Sequence, residues 1–378
     1  AGNLVVRCDS STALNPGDRA VVRGKIYPFT ARHGGYGRLM TRRGYVGTLY
    51  LNRSSLLLRD TLHRELSPKH LSLFLHERAV ARLDRLALAP DEQALCNAMT
   101  AGDRRSLSPA LRAAYSRSGT SHLLAVSGLH VGIVFLLANL LLWWLPLFRH
   151  GHILRNIAVI LLIWLYAATT GFPPSVVRAA LMFSVLQFAL ASSSEYVGMN
   201  TLAGVAFVML LFHPDYLFDI SFQLSFIAVA GIIAWGLPLC RLLRTRRKSI
   251  DMLTATLAIG FSASAATAPL ISHTFGQISV VGLALNPVVI LLSYVVVGSC
   301  TLWLVIPGTA LAPLFSVVAG FAARAQNELI RAAAALPAAA LDIRLTTTQC
   351  WIVYGLFIFA TLLLWSAERK KSVSSLPE

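Results

Sequence analysis

The chain has 378 residues, of which 56% are hydrophobic and only 13% are charged, and its mean hydropathy is +0.63. Soluble domains carry about 25% charged residues, so this composition excludes an ordinary soluble protein and is typical of a membrane protein. The formal net charge is +16, and residues 1–121 hold 19 of the 33 Lys and Arg residues. The sequence therefore predicts a basic polar head followed by a membrane body.

The five cysteines are scattered along the chain, without a Cys-x-x-Cys pair. This spacing indicates neither a zinc site nor a disulfide framework, and we expect no cofactor. The chain begins at Ala1 without a charged-then-apolar signal segment, from which we expect a fragment or a processed start.

Residues 1–60 contain short β-branched runs separated by glycine turns, a pattern that predicts a small β-barrel or part of one. Basic residues alternate with tyrosines and a phenylalanine in this segment. Cations contact phosphates and aromatic rings stack on bases, so the mixture favours single-stranded nucleic acid. A solvated basic surface over core aromatic residues is the alternative. The candidate DNA contacts are Arg23, Lys25, Arg38, Arg42 and Arg43.

Residues 61–121 change to helical periodicity with apolar and basic faces, which predicts a basic amphipathic linker. This linker either lies on anionic headgroups or packs against the barrel. Residues 368–378 form a basic tail.

Residues 122–367 contain closely spaced apolar segments that predict a bundle of membrane helices. The segments lie near 122–145, 153–170, 176–191, 199–213, 221–240, 253–271, 278–306 and 349–367. Residues 311–336 differ, because they are Ala-rich with charged residues along one face. They predict an interfacial or re-entrant helix, or a helix that lines a wet cavity.

The basic loops orient the membrane body. Arg149 and Arg155 follow the first apolar segment, and five basic residues lie in 241–248, after the fifth. Because short cytoplasmic loops are enriched in Lys and Arg, both loops are predicted to be cytoplasmic. The basic head is then predicted to be extracytoplasmic.

Several polar side chains lie within the apolar segments, where unsatisfied polar groups are costly. Arg178 follows a Pro-Pro break, and its guanidinium could bind phosphate bidentately or extend to lipid headgroups. Asp219, Gln223 and Ser225 lie at the start of another segment, with interhelical hydrogen bonding as the alternative role. Asn286 precedes a proline within a long apolar run.

The segment SGTSHLLAVSGLHVGIVFLL (118–137) raises the question of a catalytic or metal site. Zinc needs three or more converging ligands, and His122 and His130 are eight residues apart without an acidic residue between them. AVSGLH resembles the Gly-x-Ser-Gly of rhomboid-type intramembrane serine proteases, although Ala125 replaces the first glycine. His130 is then a candidate base for a nucleophilic Ser127, and His213 or His273 from another segment is the alternative base.

A structural interpretation of the same segment rests on its glycines. Gly128 and Gly132 form a GxxxG pattern, which is typical of a close-packing seam between membrane helices. Ser127 and His130 are then expected beside the seam, where they could line or plug a polar path.

The run GTSHLLAVSGLHVGIV resembles the signature of the ComEC-type bacterial competence channel family. GFPPSVVRAALM, HPDYLFDISFQLSFIAVAGI and ATAPLISHTFGQISVVGLALNPVVI resemble further blocks of that family, in the same order. Residues 1–60 resemble its extracytoplasmic barrel of oligonucleotide-binding type.

The resemblance implies an all-α polytopic membrane helix bundle preceded by a small, incomplete β-barrel. It also implies an inner-membrane channel for single-stranded DNA in natural transformation, and not an enzyme.

The resemblance also implies roles for individual residues. Path-lining or gating roles are implied for His122, Ser127, His130, Arg178, Asp219, Gln223, Ser225 and Asn286. The implied partners are single-stranded DNA, membrane lipid and other competence proteins, including a DNA receptor, a cytoplasmic translocase and a separate nuclease.

This sequence departs from the family in two respects. Members usually begin with membrane helices before the barrel, and none is visible here. Many members carry a C-terminal metallo-β-lactamase-like domain with an H-x-H-x-D-H motif, which is absent here, so we expect a shortened or fragmentary member. A serine hydrolase centred on Ser127 and a transporter of another anionic solute are the alternative functions.

Overall fold

A computed structural model describes residues 3–8, 18–29, 37, 40–41, 44–60, 68–191, 198–245, 247–279, 281–306, 311–336 and 340–374. Short strands come first, and helices dominate from residue 68 onward. The predicted fold class, a helical membrane bundle preceded by a small β region, is confirmed. Of the candidate DNA contacts, Arg38, Arg42 and Arg43 lie outside the described residues.

Two small sheets form the N-terminal region. The strands are β1 (Asn3–Cys8), β2 (Arg19–Val22), β3 (Ile26–Pro28), β4 (Tyr45–Leu51) and β5 (Leu56–Asp60). β4 pairs in parallel with β1 and antiparallel with β3, while β2 and β5 form a separate antiparallel pair. Side chains alternate along a strand, so β4 buries Leu49 and Leu51 and leaves Tyr50 exposed between them.

Helices make up most of the remaining chain. The first six are α1 (Pro68–Leu83), α2 (Pro90–Thr100), α3 (Pro109–Arg117), α4 (Gly128–Leu141), α5 (Gly151–Thr169) and α6 (Pro174–Ala191). The others are α7 (Gly198–Phe212), α8 (Ile220–Gly231), α9 (Leu237–Leu242), α10 (Lys248–Phe275), α11 (Val281–Val305), α12 (Ala312–Ala334) and α13 (Thr347–Ser374). A π-helical turn, Ile232–Gly236, joins α8 to α9. Two short strands, β6 (Ile278–Ser279) and β7 (Ala340–Leu341), pair antiparallel.

Membrane-spanning length is reached by five segments of the described chain: Gly128–Leu147, Gly151–Thr169, Ile220–Leu242, Ile250–Phe275 and Leu285–Val305. Shorter apolar helices cover Pro174–Ala189, Gly198–Phe212 and Thr347–Leu362. The chain is therefore a multi-pass membrane protein. The first of these helices begins at Gly128 and not, as predicted, near residue 122, because Ser121–Leu124 form a separate 3-10 turn.

Five helices form a closed ring of neighbours. α4 packs on α6, α6 on α8, α8 on α10, α10 on α11, and α11 packs back on α4. α5 packs against α4 and α6, and α7 packs against α6 and α8. Two clusters of buried apolar side chains fill these contacts, one among α4, α5 and α6 and the other among α6, α7 and α8. Apart from α1, which packs on α5, the helices that α5 and α7 contact closely are adjacent ring members, so we place both on the outside of the ring.

Residues 311–336, which were predicted to lie in the interface or line a cavity, form helix α12 within a packed layer. α12 packs on α11, α2 and α3. On its charged face, Arg324 pairs with Glu92 at 2.7 Å, and Arg331 pairs with Asp91. The basic side chains of α12 are thus neutralised by acidic residues in the first turn of α2, where the helix dipole also favours carboxylates.

A buried polar network holds the same layer together. The Tyr115 hydroxyl donates to Oδ1 of Asn327 at 3.1 Å and accepts from Nε2 of Gln326 at 3.2 Å, while Nδ2 of Asn327 donates to the carbonyl of Asp91 at 3.2 Å. Burial raises the pKa of Tyr115, so the hydroxyl keeps its proton and its donor role. The network connects α2, α3 and α12.

A close backbone contact joins the end of α3 to the start of α11. Gly119 has φ +74°, and a Cβ atom there would lie 2.4 Å from Cβ of Ser279. A Cβ atom at Gly282 would lie 2.8 Å from the carbonyl oxygen of Ser118. Only glycine fits both positions without displacement. The contact fixes the turn that leads into residues 121–130.

We predict that Gly119→Ala destabilises the protein by about 1–3 kcal/mol, because alanine meets both an unfavourable φ and a clash. Gly298→Ala is the matched control, since nothing lies within 4 Å of a Cβ atom there. Thermal unfolding of the detergent-purified protein would measure both. Equal melting temperatures for Gly119→Ala and wild type would contradict this account of the contact.

Candidate functional site

Ser127 and His130 form the N-terminal cap of α4. Nδ1 of His130 accepts a hydrogen bond from the backbone N–H of Ser127 at 2.9 Å and lies 3.1 Å from Oγ of Ser127. The His130 side chain is fully buried. A backbone N–H can only donate, so Nδ1 is the acceptor and the proton of the neutral ring is on Nε2. His130 thus satisfies a backbone donor that the helix itself leaves unpaired.

The glycines of α4 face α6. A Cβ atom at Gly128 would lie 3.6 Å from Cβ of Ala179, and one at Gly132 would lie 3.2 Å from Cζ of Phe183. Oγ of Ser175, in the first turn of α6, donates to the carbonyl of Val126 at 2.8 Å. α4 and α6 therefore begin side by side and run parallel, with the glycines at their contact.

His130 lies on the far side of α4 from this contact. It is two residues from each of Gly128 and Gly132, and successive residues of an α-helix advance by about 100°. It therefore points about 200° away from the α6 contact. His130 was expected beside the glycine seam. It lies instead on the opposite side of α4 from the α6 contact, and therefore away from Arg178 on α6.

Arg178 is a buried arginine without a carboxylate partner in the described part of the chain. Its side chain is only 2% exposed. Nη2 donates to the carbonyl of Ser175 at 3.4 Å, and Cζ lies 5.3 Å from the centroid of the Phe226 ring on α8. Nη1 is buried and has no hydrogen-bond partner. One long hydrogen bond and one cation–π contact thus hold a guanidinium that has five N–H donors.

The other contacts of α6 show where Arg178 points. Three sides of α6 are occupied, with Ala179 and Phe183 towards α4, Val176 and Ala180 towards α5, and Val177 and Leu181 towards α7 and α8. At about 100° per residue, Arg178 lies on the remaining side, between the α4 and α8 contacts and opposite α5. This side faces the interior of the ring.

The polar residues at the start of α8 hold the chain around them. Oδ1 of Asp219 caps α8 by accepting from the backbone N–H of Ser221 at 2.8 Å. Nε2 of Gln223 donates to the carbonyl of Leu217 at 2.7 Å, which closes the 3-10 turn Pro214–Phe218. Ser225 is half-buried on α8. The cap and the closed turn both fix the start of the helix that carries Phe226.

The two remaining candidates lie apart from Arg178. His122 is exposed in the 3-10 turn before α4. Asn286 lies inside α11, where Pro287 removes a backbone donor, and its Oδ1 is buried without a partner. The structure thus groups Arg178 with Ser175 and Phe226, groups Ser127 with His130, and leaves Asn286 on another helix.

A second set of polar residues lies within the apolar helices: Asn139, Asn156 and Gln187 were missed in the sequence, and Arg155, which was assigned to a loop, lies inside α5. Nη2 of Arg155 donates to Oδ1 of Asn139 at 3.1 Å, and Nε2 of Gln187 donates to Oδ1 of Asn156 at 2.6 Å. These bonds join α4 to α5 and α5 to α6. The signal that marked Arg178, a polar residue in an apolar segment, was present at Asn139, Asn156 and Gln187 as well.

The N-terminal sheet presents exposed aromatic rings beside cations. Tyr27 and Tyr50 are 50% and 55% exposed, and their ring centroids are 5.7 Å apart in an edge-to-face arrangement. Lys25 lies over the Tyr27 ring and Arg7 over the Tyr50 ring, each at 5.9 Å. Arg7 was not among the predicted contacts. We call Arg7, Lys25, Tyr27 and Tyr50 the aromatic patch. Arg23 is also exposed, in the segment between β2 and β3.

Comparisons with known proteins connect these features to a family. Residues 99–370 match the family described as Competence protein. The chain is 33% identical over 204 residues to ComE operon protein 3 of Bacillus subtilis (strain 168), covering 53% of this chain and 24% of that protein. It is 29% identical over 201 residues to an uncharacterized protein of Aquifex aeolicus (strain VF5), covering 53% of this chain and 45% of that protein. The chain thus spans less than half of either relative, and no solved structure matches it.

We predict that the His130 cap is a stability determinant. His130→Phe removes the acceptor for the Ser127 N–H and should lower the free energy of unfolding by about 1–3 kcal/mol. Ser127→Ala retains the backbone N–H but removes the capping hydroxyl, and should cost about 1 kcal/mol. Thermal unfolding of both variants in detergent would measure this difference. A larger loss for Ser127→Ala than for His130→Phe would contradict the cap.

Proposed function

Because the chain belongs to the Competence protein family over residues 99–370, we propose that it acts in DNA uptake as a channel through which single-stranded DNA crosses the inner membrane into the cytoplasm. The observation that carries the proposal is the closed ring of α4, α6, α8, α10 and α11, with buried Arg178 on its inner side. A basic group inside a membrane bundle suits an anionic substrate.

Side-chain exposure supports a passage inside the ring. Val185 is seven residues after Arg178 on α6 and therefore shares its face, and it is 42% exposed. Leu136 lies on α4 between the side that contacts α6 and the side that contacts α11, and it is 55% exposed. At these two positions α4 and α6 each present an uncovered side chain on the ring-facing side, which supports a passage there, whereas Arg178 itself is covered by its neighbours.

The head of the chain supports the direction of transport. Arg149 and the basic residues of 241–248 favour the cytoplasm, so we propose that the N-terminal sheets are extracytoplasmic. There the aromatic patch would bind single-stranded DNA by stacking bases on Tyr27 and Tyr50 and pairing phosphates with Arg7 and Lys25. We further propose that a DNA receptor, a cytoplasmic translocase and a separate nuclease complete the uptake machinery.

One observation favours a second candidate, an intramembrane serine hydrolase. Oγ of Ser127 lies 3.1 Å from Nδ1 of His130, within reach of a nucleophile–base pair. However, Nδ1 already accepts from the Ser127 backbone N–H, and a base must be free to take the hydroxyl proton. A fluorophosphonate probe separates the two functions, because labelling that disappears in Ser127→Ala would support the hydrolase over the channel.

We predict that deletion of the gene abolishes uptake of labelled DNA and that complementation restores it. The assay should follow internalised single strands separately from DNA bound at the surface, because a channel acts after surface binding. Undiminished internalisation in the deletion strain would defeat the proposed function. Internalisation of a small anion but not of DNA by the complemented strain would favour transport of another anionic solute.

We predict that Tyr27→Ala and Tyr50→Ala each weaken binding of single-stranded oligonucleotides by about 1–3 kcal/mol, the contribution of one stacked base. Tyr27→Phe keeps the ring and should bind like the wild type. Lys25→Ala should reduce the slope of log K against log salt by about 0.7, because one phosphate contact is lost. Fluorescence anisotropy of the purified full chain measures all four variants. Equal affinities for the alanine and phenylalanine variants would exclude stacking at Tyr27.

A further inference from the structure

The strongest unmet polar demand in the bundle is at Arg178. Its guanidinium is almost fully buried, makes one hydrogen bond at the upper limit of length, and leaves Nη1 without a partner. Burying a charged donor without an acceptor is strongly unfavourable. Because every N–H of a guanidinium is a donor, the missing group must be an acceptor, and an anion would neutralise the charge as well.

The described contacts of Arg178 leave Nη1 without an acceptor. The carbonyl of Ser175 accepts from Nη2 at 3.4 Å, and Phe226 offers only the negative face of its ring, which attracts a cation without forming a hydrogen bond. No described acceptor lies within hydrogen-bond distance of Nη1. An acceptor for Nη1 would therefore come from outside the described chain.

The position of Arg178 distinguishes between two sources of such an acceptor. Arginines that extend to lipid headgroups keep their guanidinium exposed near a helix end. Arg178 is instead buried on the ring-facing side of α6, opposite the outer helix α5. α4 and α6 also begin side by side at this level, and helix N-termini favour anions. Arg178 is on the side of α6 that faces the ring axis, so a ligand inside the ring can reach it when the packing around the buried guanidinium opens, whereas a lipid outside the ring cannot.

We propose that Arg178 binds the phosphodiester groups of single-stranded DNA one at a time as the strand passes through the ring. This inference rests on the proposed function and adds which chemical group is recognised. The two non-bridging oxygens of a phosphodiester match the paired N–H groups of a guanidinium. Every nucleotide carries the same group, so recognition at Arg178 is independent of base sequence.

The ring of Phe226 gives the guanidinium of Arg178 a contact when no phosphate is bound. Without a phosphate, the guanidinium rests near the face of the Phe226 ring at 5.3 Å. When a phosphate arrives, Nη1 gains its acceptor, and the cation–π contact is weakened or retained. A single arginine binds any one phosphate with limited affinity. This suits conduction, because each site in a channel must release what it binds.

The test compares variants of Arg178 in the complemented deletion strain. Arg178→Gln keeps hydrogen-bonding capacity but removes the charge, and it should lower the rate of DNA internalisation by about tenfold or more. Arg178→Lys keeps the charge without the planar fork and should retain a measurable part of the rate. Arg149→Gln removes an exposed charge from the loop after α4 and should internalise DNA at the wild-type rate. Immunoblots of membranes verify equal amounts of each protein.

A binding measurement separates phosphate recognition from a structural role. The full chain with Tyr27→Ala and Tyr50→Ala, purified in phospholipid-free detergent, is titrated with oligothymidylate carrying either phosphodiester or uncharged methylphosphonate linkages. Arg178→Gln should weaken binding of the phosphodiester strand by about tenfold or more and leave binding of the methylphosphonate strand unchanged. Equal losses for both strands, or no loss for either, would overturn the inference.

The outcomes also distinguish this inference from the proposed function. If wild type and Arg178→Gln internalise DNA equally, the channel stands and Arg178 is not a phosphate site. If internalisation does not need the gene, the proposed function itself fails. If phosphatidylglycerol co-purifies with wild type but not with Arg178→Gln, and oligonucleotide binding is unaffected, the ligand is a lipid headgroup and the inference is wrong.

Discussion

The close contact between α4 and α6 sets what the ring presents to its interior. Gly128 and Gly132 lack side chains, so α6 can approach until Ala179 and Phe183 touch α4. The hydrogen bond from Ser175 to the carbonyl of Val126 fixes the level at which the two helices meet. With that side of α6 occupied by α4 and the opposite sides by α5, α7 and α8, Arg178 is left facing the ring axis. A larger residue at Gly132 would rotate or displace α6 and take Arg178 with it.

Most intramembrane polar groups of this chain serve the fold, and the exceptions are informative. His130, Asp219 and Gln223 satisfy backbone groups at the ends of helices and turns. Asn139, Asn156, Arg155 and Gln187 hydrogen-bond across helices, as polar residues in membrane bundles commonly do. Buried polar atoms without a partner also occur at His130, Arg155, Gln187 and Asn286. Arg178 differs because its guanidinium is almost fully buried, has such an atom, and lies on the inner side of the ring. For these reasons Arg178, among the many polar residues of the bundle, is the one for which we propose a function.

The sequence predicted the helical bundle and most of its segments because long apolar runs have few alternatives in a membrane. For residues 311–336, the visible charges led to the prediction of an interfacial or re-entrant helix or of one that lines a wet cavity, and this stays a prediction. The partners of these charges on α2, more than 230 residues away, could not be seen in the sequence. His130 and Arg178 were grouped from the sequence because both are polar and both match the same family resemblance. The 100° advance along α4 shows that they lie apart, but this can be deduced only when the face of α4 that contacts α6 is known. The ring itself depends on which helices pack together, and a sequence pattern does not give that arrangement.

The central claim is that the space inside the ring is accessible from water and is occupied by DNA during passage. In a chain whose native cysteines have been replaced, Val185→Cys places a thiol on the ring-facing side of α6, and Leu161→Cys places one on the exposed side of the outer helix α5. A charged, membrane-impermeant thiol reagent should modify Val185→Cys but not Leu161→Cys, and single-stranded DNA arrested in the channel should slow the modification of Val185→Cys. Modification of neither position, or equal modification of both with no effect of DNA, would contradict the account.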